Sequence, residues 1–375
     1  MEARTPPSEL VLVPYVHELH ESALLAFLAR VLGDEVCRKR RLVLDAIHER
    51  MPLRDRAPLR YIVLDGDRVA GTLGHLPADF LVRGERVPVR FTCDLLVDPE
   101  YAAAGLRLGR KTLGMLLVEN ARQQGVFIPG GMWMTRTSHQ IHLAVGFQDT
   151  VGLPTYTLVL APRVFVARRG LPRAKALAST TGLVALRQWA LARARVESVR
   201  RDVSLEEVDR FDPALDATWL DLAGSYPVTR VRDASYLNWR YVDHPILDYR
   251  ILLARRGGKC TGYVVWRPAL EHDTDQRAIV ADFLVRKGDA PTFRALVARV
   301  ILESAGAGME TISILTTQAQ AGTVLRQSGF MRRNVPSTWV VAGWQDYIPP
   351  EWLHDLEPWH LCIGDSDGDL WTGTM

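Results

Sequence analysis

Two short motifs recur in this chain at almost one spacing. Asp94-Leu95-Leu96-Val97 is matched by Asp282-Phe283-Leu284-Val285, 188 positions on (94 to 282), and Gly146-Phe147 by Gly329-Phe330, 183 positions on (146 to 329). Two different landmarks at nearly one offset point to duplication, so the 375 residues are expected to fold as two similar halves. The flanking patterns agree. In the first half, Arg60–Asp65 and Val69–His75 read as strands around a tight turn, and Arg90–Val97 as a further strand. A helical period then runs from about Gly105 to Gln124 through Leu113, Leu116, Leu117 and Ala121. A short strand near Met132, a short helix before Gly146 and the strand Tyr156–Ala161 close this half. In the second, Tyr249–Arg255, Thr261–Arg267 and Ala278–Val285 are strands, Pro291–Ser304 is a helix, and Thr311–Thr316, Gln318–Gln327 and Ser337–Ala342 follow as strand, helix and strand.

Charge marks the seam between the halves. Arg163 to Arg201 holds ten cations and one acid, Glu197, while the net charge of the whole chain is only +3, so its basic character is local. Gly170, Pro172 and Gly182 interrupt any clean amphipathic face there, and aromatics are few, so nucleic acid is not the expected partner. An arm packing across both halves is the expectation. The four cysteines are dispersed without a CxxC pair, which supports neither a disulfide framework nor a cysteine zinc site. The HxxH pair His17 and His20 has no further ligand nearby in sequence, and no metal is expected. Ordinary globular composition (47% hydrophobic, 24% charged), no spanning run and no leader pattern suggest a cytoplasmic protein.

The order of elements, with Leu96-Val97-Asp98-Pro99-Glu100-Tyr101, Gly105, Gly109, Leu113, Gly125 and Gly146-Phe147, resembles the GNAT superfamily of N-acetyltransferases. The second half resembles a degenerate copy, with Gly329-Phe330 but no glycine loop. The resemblance implies an α+β (mixed α/β) fold of two GNAT-like domains, each a central, mostly antiparallel sheet flanked by helices. Residues 10–163 would be the CoA-binding half, 164–200 a basic connector, 201–342 the second half and 343–375 an acidic, tryptophan-rich tail. It further implies an acyl-CoA, such as acetyl-CoA, as co-substrate. Leu95, Leu96 and Val97 would face its pantetheine arm, and Ala104, Gly105, Leu106, Arg107, Leu108, Gly109 and Arg110 its diphosphate. The loop departs from the family pattern, with Ala102 at the usual Arg or Gln position and Arg107 at the second small one. Apart from the family, Arg107, Arg110 and Lys111 at the start of a helix are electrostatically adverse unless an anion sits on its free N–H groups.

Acyl transfer to an amine needs a proton acceptor for the ammonium and a donor for the thiolate. The family often places a tyrosine four residues before the Gly of Gly-Phe; here that position is His142, a candidate acid, and Leu325 in the second half. Asp94 is a candidate base, although its counterpart Asp282 favours a shared structural role. Ser138 is a substrate contact or a helix cap. Asp233-Ala234-Ser235-Tyr236-Leu237-Asn238-Trp239-Arg240-Tyr241 reads as a capped helix; the GNAT resemblance implies that it borders the acceptor cleft, lined by Tyr236, Arg240 and Tyr241, while spacing also lets Tyr236 and Arg240 pack as an i,i+4 pair with Trp239 in the core. A loose likeness to tandem-GNAT proteins of cell-surface polysaccharide synthesis suggests a saccharide acceptor. The alternatives are a non-catalytic binding module, and a transferase whose donor is an acyl-carrier protein or aminoacyl-tRNA docked on the cationic connector.

Overall fold

The computed structural model describes residues 10–103, 107–108, 111–124, 126–130, 132, 134–200, 202–269, 275–333 and 338–366. The first half opens with β1 (Leu10–Pro14) and two helices without a counterpart in the sequence reading, α1 (His17–Leu32) and α2 (Asp34–Arg50). It continues with β2 (Arg60–Asp65), β3 (Arg68–Val82), β4 (Glu85–Val97), α3 (Pro99–Ala103), β5 (Arg107–Leu108), β6 (Lys111–Thr112), α4 (Leu113–Gln123), β7 (Phe127–Gly130), α5 (Arg136–Ala144), β8 (Gln148–Asp149) and β9 (Thr155–Val159). The connector forms α6 (Pro162–Ala167) and α7 (Arg173–Ser198). The second half contains β10 (Ser204–Val208), α8 (Leu215–Ala223), β11 (Val228–Arg230), α9 (Ala234–Leu237), β12 (Arg250–Arg256), β13 (Lys259–Arg267), β14 (Arg277–Val285), α10 (Ala290–Gly306), β15 (Thr311–Leu315), α11 (Ala319–Gln327), β16 (Met331–Arg332), β17 (Val340–Val341) and β18 (Trp359–His360).

Among the described residues these strands build two seven-stranded mixed sheets and two two-stranded ribbons, β5–β6 and β8–β17. In the first, β1, β2, β3 and β4 are antiparallel neighbours and β7 joins β4 in parallel. In the second, β10, β12, β13 and β14 are antiparallel neighbours and β15 joins β14 in parallel. Strands cross between the halves. β9 pairs with β15 and β16 in the second sheet, while β11 pairs with β3 in the first and β17 with β8. The stretches 10–163 and 201–342 therefore do not close two separate sheets. Trp339 and Trp359, fully buried and edge-to-face at 4.9 Å, pack beside Phe127 in the core that the exchange creates.

The two Gly-Phe pairs have one local cause. Gly146 and Gly329 follow α5 and α11 at φ 93° and 92°, a left-handed conformation that glycine adopts without strain. Phe147 N–H then donates to His142 O and Phe330 N–H to Leu325 O, both at 3.0 Å, satisfying the last helical carbonyls in the manner of a Schellman cap. Both phenylalanines are buried. The motif is thus a helix stop with a hydrophobic lock.

Two expectations fail on helix boundaries. The helix placed at Gly105 begins at Leu113, where Thr112 Oγ1 caps Met115 N–H at 3.3 Å; Arg107 and Leu108 pair instead with Lys111 and Thr112 as a hairpin. Arg107 and Lys111 therefore precede the helix. The connector breaks at Gly170 and Pro172, between α6 and α7, but then runs through Gly182 as one 26-residue helix. Its Ala190, Leu191 and Ala194 enter the second core, and upstream Arg168 pairs with Glu310 at 2.8 Å.

Candidate functional site

The parallel pair β4–β7 splits early. Val89 pairs with Phe127 and Phe91 with Gly130, after which β4 runs on to Val97 while Met132 bridges to Trp339 on the far side. Among the described residues no strand pairs with this edge of β4 beyond Phe91. The result is a V whose one arm is Thr92–Val97, with Leu95, Leu96 and Val97 half-exposed. Asp94 adopts φ 51° inside a bulge where Asp94 and Leu95 together oppose Leu73, which turns the end of the strand and frees backbone groups from the ladder. The α4 N-terminus closes the wide end. Gly114 sits there between Val97 and α5, and a Cβ on it would lie 3.0 Å from Ile141 Cδ1. Of the loop residues expected to hold a diphosphate, Ala104, Gly105, Leu106, Gly109 and Arg110 lie outside the described residues, and for Arg107 and Leu108 the description covers only the backbone.

The second half has the same split between β14 and β15, whose pairing ends at Val280 and Ile314. Here the chain fills most of its own V, leaving a small cavity between Phe283, Val285, Ala290 and Gln318. His360 Nε2–H donates to Phe283 O at 2.8 Å, Leu361 N–H to Thr317 Oγ1 at 3.3 Å, and Gly364 lies so close that a Cβ would be 3.0 Å from Ala281 O. Arg232, fully buried, binds Asp282 at 2.9 Å and Asp365 at 2.8 Å, pinning the plug. The stretch expected to be a separate tail is thus part of both cores, and the acidic run starting at Asp365 begins with a buried ion pair; its last members, from Asp367, lie outside the described residues.

Tyr236, Arg240 and Tyr241 serve this plug rather than an open cleft. Tyr236 is buried under Arg230, whose guanidinium carbon is 4.2 Å from the ring centre, and burial pushes its phenol up to about 12. Arg240 donates to Ser366 O at 3.1 Å, and Tyr241 to Asp282 Oδ2 at 3.2 Å. Trp239 is half-buried rather than core, its indole N–H 3.4 Å from Ala46 O.

The two acid–base candidates are held inert. Asp94 accepts from Arg60 at 3.0 Å and from Arg40; burial pushes its carboxyl up, but the two guanidiniums outweigh this and hold it below the usual carboxylate range. Asp282 and Asp94 therefore share arginine pairing. His142 is buried, with Nδ1–H donating to Ser138 O at 2.8 Å and the ring edge-on to Phe147 at 4.9 Å. Desolvation drops it to about 4, so at neutral pH the ring is uncharged and does not act as an imidazolium acid. Ser138 is not the helix cap; its N–H donates to the capping Thr135 Oγ1 at 3.2 Å.

Sequence reasoning missed two polar groups at the vertex of the first V. His75 and Thr92 are opposed on β3 and β4, both buried, and neither the His75 ring nitrogens nor Thr92 Oγ1 has a hydrogen-bond partner among the described residues. Desolvation, with Arg90 and Arg60 adding to it, lowers His75 to about 3. Buried groups left this way call for a ligand or water. No residue pattern marks them, because their meaning comes from where β7 departs.

No family model matches this chain, and no curated protein matches it in sequence. Solved structures do. The fold is GNAT-like. A GCN5-related N-acetyltransferase from Anabaena variabilis superposes with a TM-score of 0.56 at 13% identity, over 89% of this chain and 72% of that one. A conserved protein from Enterococcus faecalis, described as a probable N-acyltransferase, gives 0.59 at 13%, over 91% and 76%. Saccharomyces cerevisiae N-myristoyltransferase with bound myristoyl-CoA gives 0.57 at 10%, over 91% and 84%.

Proposed function

We propose that this protein is an N-acyltransferase that takes its acyl group from an acyl-CoA laid in the β4–β7 opening. The observation that carries this is the contrast between the two openings: Trp359–Asp365 bind across β14 and leave only a small cavity beside Val285 and the start of α10, whereas β4 keeps partly exposed side chains from Leu95 to Val97 with a bulge beside them. The residues fit the group. An extended edge offers main-chain donors and acceptors to an amide-bearing arm, and the α4 N-terminus, 11 residues of helix behind it, favours a phosphate. Acyl-CoA supplies the activated thioester. The acceptor amine attacks its carbonyl carbon, the carbon–sulfur bond breaks, and the sulfur leaves with a proton. N–H groups freed at the Asp94–Leu95 bulge polarise the carbonyl.

The acetyltransferase, the probable N-acyltransferase and the N-myristoyltransferase among the solved neighbours support the reaction class. The acceptor is proposed to be a small amine, of which an amino sugar is one form; acetyl-CoA is the simplest donor. The non-catalytic reading draws support from Asp94 and His142, neither of which is set up to move a proton. Calorimetry with acetyl-CoA, myristoyl-CoA and free CoA decides. One of them is expected to bind one-to-one, and T92V, which removes the unpartnered hydroxyl without changing shape, is expected to weaken it several-fold. No heat and no thermal shift from any of the three at millimolar ligand overturns the proposal.

A further inference from the structure

The helix pair α1–α2 carries a cluster of side chains that acyl transfer does not use. His17 is the first residue of α1, and its Nδ1 is 3.0 Å from Tyr15 Oη, which fixes the ring so that Nε2 faces inward. Nε2 looks at Glu21 Oε2 at 4.0 Å, one turn along α1, and at Asp45 Oδ1 at 3.9 Å, across on α2. The outer edges of both carboxylates are engaged by one cation: Arg41 Nη2 is 3.1 Å from Glu21 Oε1 and its Nε is 3.9 Å from Asp45 Oδ2. Each acid therefore gives one oxygen to Arg41 and turns the other toward His17. His48 stacks on the His17 ring at 5.3 Å and holds its plane.

The inward atoms do not satisfy one another. One ligand atom from each of the three residues lies within 4.8 Å of the others, and Asp45 Oδ1 is buried with no hydrogen-bond partner among the described residues. Separations of 3.9 and 4.0 Å are too long for hydrogen bonds. They are close to the spacing of about 3.4 Å expected between atoms bound about 2.1 Å from one tetrahedral ion. Two carboxylates against one arginine leave a net negative charge, and an imidazole among oxygens favours a zinc-class ion over magnesium or calcium.

We propose that His17 Nε2, Glu21 Oε2 and Asp45 Oδ1 bind one divalent transition-metal ion of the zinc class, with Tyr15 and Arg41 orienting the ligands. In this state Nδ1–H donates to Tyr15 Oη and leaves the Nε2 lone pair for the metal. The ion joins the start of α1 to the middle of α2, and α2 carries Arg40 to Asp94 at the β4 bulge. The site stands independently of the acyl-transfer reading. To test it, the full chain is stripped with chelator and titrated with Zn2+ in competition with a chromophoric chelator, and with Co2+ followed by its visible absorption. One Zn2+ per chain is expected, with a raised thermal midpoint. D45N and E21Q are each expected to weaken binding at least tenfold, whereas E35Q, on the exposed face of α2, leaves it unchanged. Glu21 is partly exposed, so E21Q remains informative if other variants fail to fold. Substoichiometric binding, a midpoint indifferent to Zn2+, or full binding by both D45N and E21Q overturns the proposal.

Discussion

A histidine at the fourth position before Gly-Phe invites a catalytic reading, yet its surroundings give it another. His142 and Leu325 occupy equivalent turns of α5 and α11, both buried, both lending a carbonyl to the stop that follows. The consequence of burying an imidazole is a pH dependence. An unfolded chain protonates His142 near 6.5 whereas the folded one resists until about 4, so the unfolded state binds more protons within that window. The contribution is therefore present above 6.5 and is lost as pH falls toward 4. H142L, which copies the second half, is expected to flatten the pH–stability curve there by on the order of 2–3 kcal/mol relative to the parent. Chemical denaturation at several pH values from 7 to 4 measures it; parallel curves refute it. His48 and His75 are lowered as well, so the variant keeps a residual slope.

At the scale of elements, the two helix stops are alike in backbone and unlike in neighbours. A Cβ at Gly146 would meet the movable guanidinium of Arg122 at 3.1 Å, but at Gly329 it would meet Ala190 Cβ of α7 at 2.8 Å. Both G146A and G329A place a side chain at positive φ, a cost of about 1 kcal/mol. G329A must also push α7 off α11, so its loss of thermal stability is expected to exceed that of G146A by at least as much again. Equal midpoints would show that α7 yields freely. These glycines were legible in the sequence because a helix stop is a local event, as were β12–β14 and α10, whose apolar patterns are continuous. The start of α4 was not: its period begins at Leu113, and the eight residues assigned before it rested on glycine spacing alone. Gly182 misled in the opposite direction, since one glycine costs a long helix little when its buried face lies farther along. The open edge of β4, the vertex pair His75–Thr92 and the His17–Asp45 contact were invisible for a shared reason. Each depends on which segments meet, and side-chain periodicity names a strand's faces without naming its neighbour.

For the whole molecule, the ion pairs at Arg232 matter more than their number. Its guanidinium pairs with both Asp282 and Asp365, all three buried, and thereby ties the end of the described chain to the middle of the second sheet. R232A would strand two carboxylates in the interior and is expected to cost about 3–5 kcal/mol. Because β18 pairs with β11, which in turn pairs with β3, both halves should unfold in one transition in the parent and in the variant alike. Fluorescence and circular dichroism followed together in urea test this; separated midpoints would mean that the halves melt independently.

The crossing of β9 and β17 carries a longer consequence. Removing the second half would take β11 and β18 out of the first sheet and β17 from beside β8, and removing the first would take β9 out of the second sheet. Mutual lending of backbone makes each half a permanent tenant of the other.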